Sequence, residues 1–248
     1  MNIALRLTGI ATLALVLATP AFAQQPANRA PGFGKLAAGT RVAIMPADVE
    51  LYEVSGGGVF EPRADWTAAA QTHLRAAYRA RKEKLGVQVV EVGDDVSDPV
   101  LELNRLHGAV GGAIANHHFG MLHLPTKEQK LDWTLGPDVA HVREKTGADY
   151  ALFTFIRDSY VSAERKAAIV IAAVFGVGLN PGGIQFTFNS LVDLRTGQVV
   201  WASRVLRGTG DLREAEPAQE TVDAMLTGLL QEVAPPTTGG RVRSIRDL

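Results

Sequence analysis

Five of the six histidines lie within one region of the chain, at positions His107, His117, His118, His123 and His141. Neutral imidazoles are good ligands for zinc, copper and nickel, and adjacent loop histidines together with Asp132 could form such a site. The spacing matches no standard zinc motif, because the chain contains no H-E-x-x-H sequence and no cysteine. We therefore predict polar histidines on loops or helix surfaces and no catalytic, cofactor-binding or metal-binding residue, with a metal site in this region as the alternative.

Two glycine-rich stretches and four acidic residues are the other positions whose residue types could support chemistry. Ser55–Gly58 lacks the Lys-Ser/Thr ending of a phosphate-binding loop, and Gly176–Gly183 lacks the G-x-G-x-x-G spacing. Backbone flexibility explains both stretches. Paired carboxylates can perform acid–base catalysis, but loop acids are commonplace, so we assign no catalytic role to the acids that flank the first stretch: Asp48, Glu50, Glu53 and Glu61.

Hydrophobic periodicity predicts one α/β domain over residues 41–234, with a mixed sheet of about five strands, a C-terminal β-hairpin and helices packed on the sheet. Helical spacing predicts helices near Asp65, Asp98, Asp138 and Pro217. Apolar or alternating runs predict strands at Arg41–Met45, Val87–Val92, Tyr150–Ile156, Gln185–Leu194 and Gln198–Val205.

Two details refine this pattern. Gly108, Gly111 and Gly112 weaken the second helix, so we expect it to pack closely or to break there. Arg195-Thr196-Gly197 suits the tight turn of a hairpin. The first helix carries a basic row that we interpret as a solvated face, with binding of anionic envelope polymers as the alternative: Arg75, Arg79 and Lys82.

An insert at Ser162–Gly183 separates the third strand from the hairpin. Its segment Ala167–Phe175 is apolar nearly all round, and Ala167–Leu179 is too short to span a bilayer. Length and composition favour a core helix or buried strand, whereas the alternative is an exposed surface for a partner or a membrane interface. Our hypothesis is that Ala167–Leu179 mediates self-association or docking to an envelope protein.

The first residues indicate export. A mildly basic start is followed by an apolar stretch at Ile10–Ala18 and by Ala21-Phe22-Ala23, which has small residues where signal peptidase requires them. We predict cleavage after Ala23, a periplasmic mature protein, a flexible lead-in over residues 24–40 and a disordered tail over residues 235–248. The absence of cysteine excludes a disulfide and lipid attachment at a cysteine.

Composition limits the class of partner. The 248 residues include 25 Lys and Arg against 26 Asp and Glu, for a net charge of −1. This near-neutral balance argues against nucleic acid as the main partner. We also expect no transmembrane helix in the mature chain.

Three motifs carry a family resemblance: the Arg41–Pro46 strand, Gly147-Ala148-Asp149-Tyr150 before the third strand, and the D-x-x-T-G-x-x-x-W pattern of Asp193–Trp201. With the element order, they resemble bacterial envelope proteins that share a fold like the TolB N-terminal domain. These include the curli-secretion lipoprotein and the outer-membrane activators of penicillin-binding proteins. This chain lacks their lipidated N-terminal cysteine, so membrane anchoring and any specific pore or activator role do not carry over.

The resemblance implies an exported, non-enzymatic accessory or assembly protein of the cell envelope that acts by protein–protein interaction. Exposed apolar surface or a sheet edge would provide the contact. The alternative is a periplasmic metal-binding protein or metal-dependent hydrolase that uses the His107–His141 region. An oligomer-forming structural protein would share the features of the first hypothesis.

Overall fold

The computed structural model describes residues 28–37, 39–93, 98–176 and 183–229 of the chain. The predicted signal peptide, the predicted tail and residues 177–182 of the insert lie outside this described part. Within it, helices cover both faces of one mixed sheet, which confirms the predicted fold class.

In the described part of the chain the sheet contains seven strands. Two positions of the sheet each hold two short strands one after the other, so the sheet is five strands wide. The strands are β1 (Arg41–Ile44), β2 (Asp48–Val54), β3 (Phe60–Pro62), β4 (Gln88–Glu91), β5 (Tyr150–Val161), β6 (Gln185–Asp193) and β7 (Val199–Arg207). Strands β1 and β2 lie end to end along one edge of β5, and β4 and β3 flank them on the outside. Strands β6 and β7 follow on the other edge of β5.

The pairing is mixed because the connections differ. Helical crossovers make β1 parallel to β4 and to β5, and β2 is also parallel to β5. The tight turn before Gly197 makes β6 and β7 an antiparallel hairpin, as predicted, and β6 is antiparallel to β5. The helices are α1 (Ala64–Leu85), α2 (Asp98–His117), α3 (Ala140–Thr146), α4 (Ala163–Val174) and α5 (Ala215–Leu226).

Two hydrophobic cores lie on opposite faces of the sheet. Alternation along β5 sends Leu152 and Ile156 into a core formed with α1 and α5, and sends Phe153 into a core formed with α2 and α3. A strand buried on both faces is a nearly continuous apolar run, which explains the composition of this segment. Complete burial of each such side chain contributes about 1.5–3 kcal/mol.

Part of the predicted lead-in packs on the sheet. Ala30 N–H donates to the carbonyl of Val200 at 2.9 Å, and Ala202 N–H donates to the carbonyl of Asn28 at 2.9 Å. Arg29 is 5% exposed and forms an isolated bridge with Trp201. Residues 28–30 therefore differ from the predicted flexible lead-in, because the edge strand β7 offers backbone groups with which they pair.

Candidate interaction surface

The insert that carries α4 is tied to the sheet on both sides. Ser162 N–H donates to the carbonyl of Val54 at 3.0 Å, and the Ser162 hydroxyl accepts from Arg165 N–H at 3.2 Å and so caps the helix. At the other end, Ile184 N–H donates to the Ser159 hydroxyl at 2.9 Å. The insert thus begins at the end of β5, and the chain after the insert lies beside that end.

A buried polar cluster holds the end of β5 from which the insert departs. The Asp158 carboxylate accepts hydrogen bonds from the Tyr160 hydroxyl at 2.6 Å, Gln185 Nε2 at 2.7 Å and Ser159 N–H at 2.8 Å. Burial raises the pKa of the Asp158 carboxyl, although these donors act in the opposite direction. The Tyr160 hydroxyl also accepts from Leu212 N–H at 2.7 Å, so the cluster fixes the strand to the loop before α5.

Helix α4 presents large apolar side chains to solvent. The exposed fractions are 64% for Val170, 59% for Ile171, and 78% for both Val174 and Phe175, and no residue of α4 is buried. The partly covered positions recur at helical spacing and mark the side on which α4 rests: Arg165, Ala168, Ile169 and Ala172.

The preference for a core helix or buried strand at Ala167–Phe175 is therefore wrong. The α1–α5 and α2–α3 pairs already cover the two faces of the sheet, and α4 starts beyond the end of β5. No residue of α4 belongs to either core. Of the proposed docking segment Ala167–Leu179, residues 177–179 lie outside the described part of the chain.

The turn between β2 and β3 adds a second exposed apolar element beside α4. Val59 is 60% exposed and Phe60 is 57% exposed. A Cβ added at Gly56 would lie 3.6 Å from Cβ of Glu164, so the turn contacts the first turn of α4. We use the name apolar tip for the exposed apolar residues of these two elements: Val59, Phe60, Val170, Ile171, Val174 and Phe175.

The apolar tip was only partly predictable. The apolar run of α4 is visible in the sequence, whereas Val59 and Phe60 follow a glycine-rich stretch that we interpreted as a loop. Ser55–Gly58 is in fact the turn of the β2–β3 hairpin, in which Val59 N–H donates to the Ser55 hydroxyl at 3.2 Å. Two adjacent apolar residues directly after a glycine turn were the available indication.

The four acids near this turn lie in β2 or β3, and three of them are paired with arginine. Asp48 accepts from Arg157 at 2.8 Å, and Glu50 lies 3.5 Å from the same guanidinium group. Glu53 pairs with Arg63 at 2.5 Å. Because each of these carboxylates is bound to a cation, the arrangement differs from a pair of carboxylates that share a proton.

The structure separates the candidate metal ligands. His107 is buried in a stack with Phe153, with ring centroids 5.1 Å apart, and burial lowers its pKa to about 3. His117 Nδ1 lies 2.6 Å from the Leu122 carbonyl. His118 packs edge-on against Phe119, His141 lies 4.0 Å from Glu144, and Asp132 lies 3.5 Å from Lys127. His123 is exposed. Among the described residues, no three acidic or histidine side chains are grouped as a metal site would require.

None of the helices in the described part of the chain combines the length and the hydropathy needed to cross a bilayer. Helix α4, which presents exposed apolar residues, has 12 residues.

Comparison with known proteins yields structural neighbours alone. No protein-family model and no curated protein matches the chain. The PelC dodecamer from Paraburkholderia phytofirmans is 14% identical, with 80% of this chain and 93% of that chain covered and a TM-score of 0.36. The LpoB C-terminal domain from Salmonella enterica is also 14% identical, with 73% and 88% covered and a TM-score of 0.28. Lipoprotein GNA1162 from Neisseria meningitidis is 12% identical, with 76% and 96% covered and a TM-score of 0.32. At these scores, no function, partner or oligomeric state transfers to this chain.

Proposed function

We propose that this chain is an exported, non-enzymatic accessory protein of the cell envelope that binds another envelope protein, or a second copy of itself, through the apolar tip. The observation that carries the proposal is the exposure of α4, where four large apolar side chains face solvent on a helix that has no buried residue. Grouped exposed apolar side chains of this kind mark interaction sites in soluble proteins. The N-terminal export pattern supports the periplasm as the compartment.

Burial of the exposed apolar side chains supplies the free energy of association. Transfer of each large apolar side chain from water into an interface contributes about 1.5–3 kcal/mol, so Val170, Ile171 and Val174 of α4, with Phe175 directly after it, together drive association. The hydrogen bond from Ser162 N–H to the Val54 carbonyl fixes the start of α4 beside β2, so the exposed apolar side chains leave the sheet at a defined point.

The experiment introduces single charges on the apolar tip. Ile171→Glu and Val174→Glu should weaken association at least about tenfold, because a carboxylate buried in an apolar interface loses its hydration. Association is measured by light scattering of the purified protein and by crosslinking in envelope fractions. Ile169 is partly covered, so substitutions at the more exposed Ile171 and Val174 test association with less effect on folding.

Met121→Glu is the matched control, because Met121 is 94% exposed but lies in the loop after α2. All three variants should unfold at the wild-type urea concentration, since each position is exposed. The proposal fails if the wild type is monomeric and forms no specific envelope crosslink, or if Met121→Glu weakens association as much as Val174→Glu does.

A further inference from the structure

The sheet has a gap along the outer edge of β1 and β2. The last residue of β4, Glu91, pairs with Ile44, and the pairing of β3 with β2 begins at Tyr52. Between these points, no strand in the described part of the chain pairs with the outer edge of residues 45–50. At about 3.3 Å per residue, this edge would accommodate about five extended residues.

A change of register makes the gap. Ile44 is opposite Leu152 and Asp48 is opposite Phe155, so the chain gains one residue relative to β5 between β1 and β2. This extra residue is a bulge at Pro46 and Ala47, and bulges bend a strand and end its pairing. On the outer edge, β4 therefore pairs with the chain only up to Ile44, and β3 pairs with it only from Tyr52 onward.

The backbone along the gap presents hydrogen-bonding groups. On the outer side, Leu51 N–H donates to the Thr67 hydroxyl at 3.0 Å and the Leu51 carbonyl accepts from Arg63 N–H at 2.8 Å. Because successive residues of a strand alternate in direction, the N–H and carbonyl of Val49 point to the same outer side. Pro46 has no N–H and its carbonyl already accepts from Asn104 Nδ2 at 3.0 Å, so Val49 provides the donor and acceptor with which a further strand would pair.

A cavity occupies the gap and lies in the plane of the sheet. It has a volume of about 620 Å³, with Leu74 and Tyr78 of α1 on one side and Leu101 and Asn104 of α2 on the other. A second hollow of about 410 Å³ continues along Val49 and Glu50 to β3, and Asp48 and Gln71 line both. We call the two together the edge slot. Both helices line the first cavity, whereas α1 alone among the helices lines the second.

Several cationic side chains lie at the end of the edge slot near β4. Three cations, Arg79, Arg75 and Lys82, act on the single carboxylate of Glu91 and hold its pKa below the usual range. Arg105 lines the opposite wall from α2. The Asp48 carboxylate on the floor is already paired with Arg157 at 2.8 Å.

We propose that the edge slot binds an extended peptide segment of another protein, with alternating apolar and acidic residues, as an added strand on the outer edge of β2. The outer edge at Val49 provides main-chain pairing, and the walls that α1 and α2 form around the first cavity contact side chains of the bound segment. The apolar lining at Leu74 and Leu101 takes the apolar residues, and Arg75 and Arg105 attract the acidic ones. This site is separate from the apolar tip, so the proposal stands or falls independently of it.

The test uses the full mature protein and a fluorescent pentapeptide, acetyl-VEVEV-amide. Its controls are acetyl-VKVKV-amide and a VEVEV peptide with N-methylated backbone amides. We expect saturable binding of the acidic peptide at up to millimolar concentration, and binding at least about tenfold weaker for each control. Hydrogen exchange of the Val49 amide should slow when the acidic peptide is bound.

Variants locate the binding site. Gln71→Trp places a bulky side chain in both parts of the edge slot and should abolish binding, while Thr72→Trp, on an exposed neighbouring position of α1, should retain it. Arg105→Glu should weaken binding about tenfold, whereas Arg143→Glu on α3 should not. The proposal is overturned if the acidic peptide fails to bind, if the N-methylated peptide binds equally well, or if Gln71→Trp binds like wild type.

Discussion

Gly111 of α2 lies against the ring of Phe188 in β6 so closely that a Cβ at position 111 would be 2.5 Å from Cδ1 of that ring. Phe188 is 1% exposed and lies in the centre of the core between the sheet and α2, so its ring has little room to move. The absence of a side chain at Gly111 therefore sets how closely α2 approaches the sheet. Helix propensity alone would favour alanine at this position.

Gly111→Ala should lower the free energy of unfolding. Overpacking a core costs about 1–3 kcal/mol, which exceeds the roughly 1 kcal/mol gained from the helix propensity of alanine. Gly112→Ala is the matched control, because a Cβ at Gly112 would meet nothing within 4 Å. It should raise stability by about 0.5–1 kcal/mol. Urea unfolding of both variants measures the difference, and equal stabilities would contradict this account of the contact.

Elements whose pattern is local were predictable from the sequence. The end of α3 at Gly147, with φ of 63°, and the turn at Gly197, with φ of 74°, both use a conformation that glycine favours. The glycines of α2 predicted close packing or a break in the helix, and the structure shows an unbroken helix with close packing at Gly111. The prediction could not identify Phe188 as the neighbour, because that contact depends on β6, far along the chain.

Features that depend on distant residues were missed. The acids of β2 resemble loop acids in the sequence, but Asp48 and Glu50 are held by Arg157, more than a hundred residues later. The alternation of Val49 and Leu51 was the available indication of a strand. Likewise, the exposure of α4 follows from other helices covering the sheet, and no local pattern in Ala167–Phe175 reveals this.

The separation of the histidines leads to a prediction about metal. We expect the purified protein, prepared without a histidine tag, to contain no stoichiometric transition metal, because a stable site needs about four ligands in fixed geometry. Elemental analysis decides the question. A bound metal that is lost in a His117→Ala and His118→Ala double variant would instead support the metal-dependent alternative.

The export pattern leads to a prediction about processing. The mature chain should begin at Gln24, because Ala21 and Ala23 satisfy the small-residue requirement of signal peptidase. Intact mass of the periplasmic fraction measures the cleavage site. Ala21→Arg should accumulate the unprocessed chain, whereas Phe22→Leu, at a position that the peptidase does not restrict, should be cleaved normally. A periplasmic product that retains residues 1–23 would refute the prediction.

Burial of His107 leads to a prediction about pH. The ring lies between Phe153 and Phe188, with centroid distances of 5.1 and 5.5 Å, and burial lowers its pKa to about 3. In the unfolded chain, the pKa is about 6.5, so the unfolded state binds a proton that the folded state excludes. The stabilising contribution of neutral His107 is therefore complete above about pH 6.5 and is lost as the pH falls toward 3.

His107→Phe should remove this part of the pH dependence. Between about pH 6 and pH 4, the free energy of unfolding of the wild type should fall more steeply than that of the variant, by up to about 1.4 kcal/mol per pH unit. His141→Gln is the matched control, because His141 is exposed and should leave the slope unchanged. Urea unfolding across this pH range gives the slopes. Equal slopes for wild type and His107→Phe, or an NMR titration of His107 near pH 6.5, would show that its ring is accessible to protons in the folded protein.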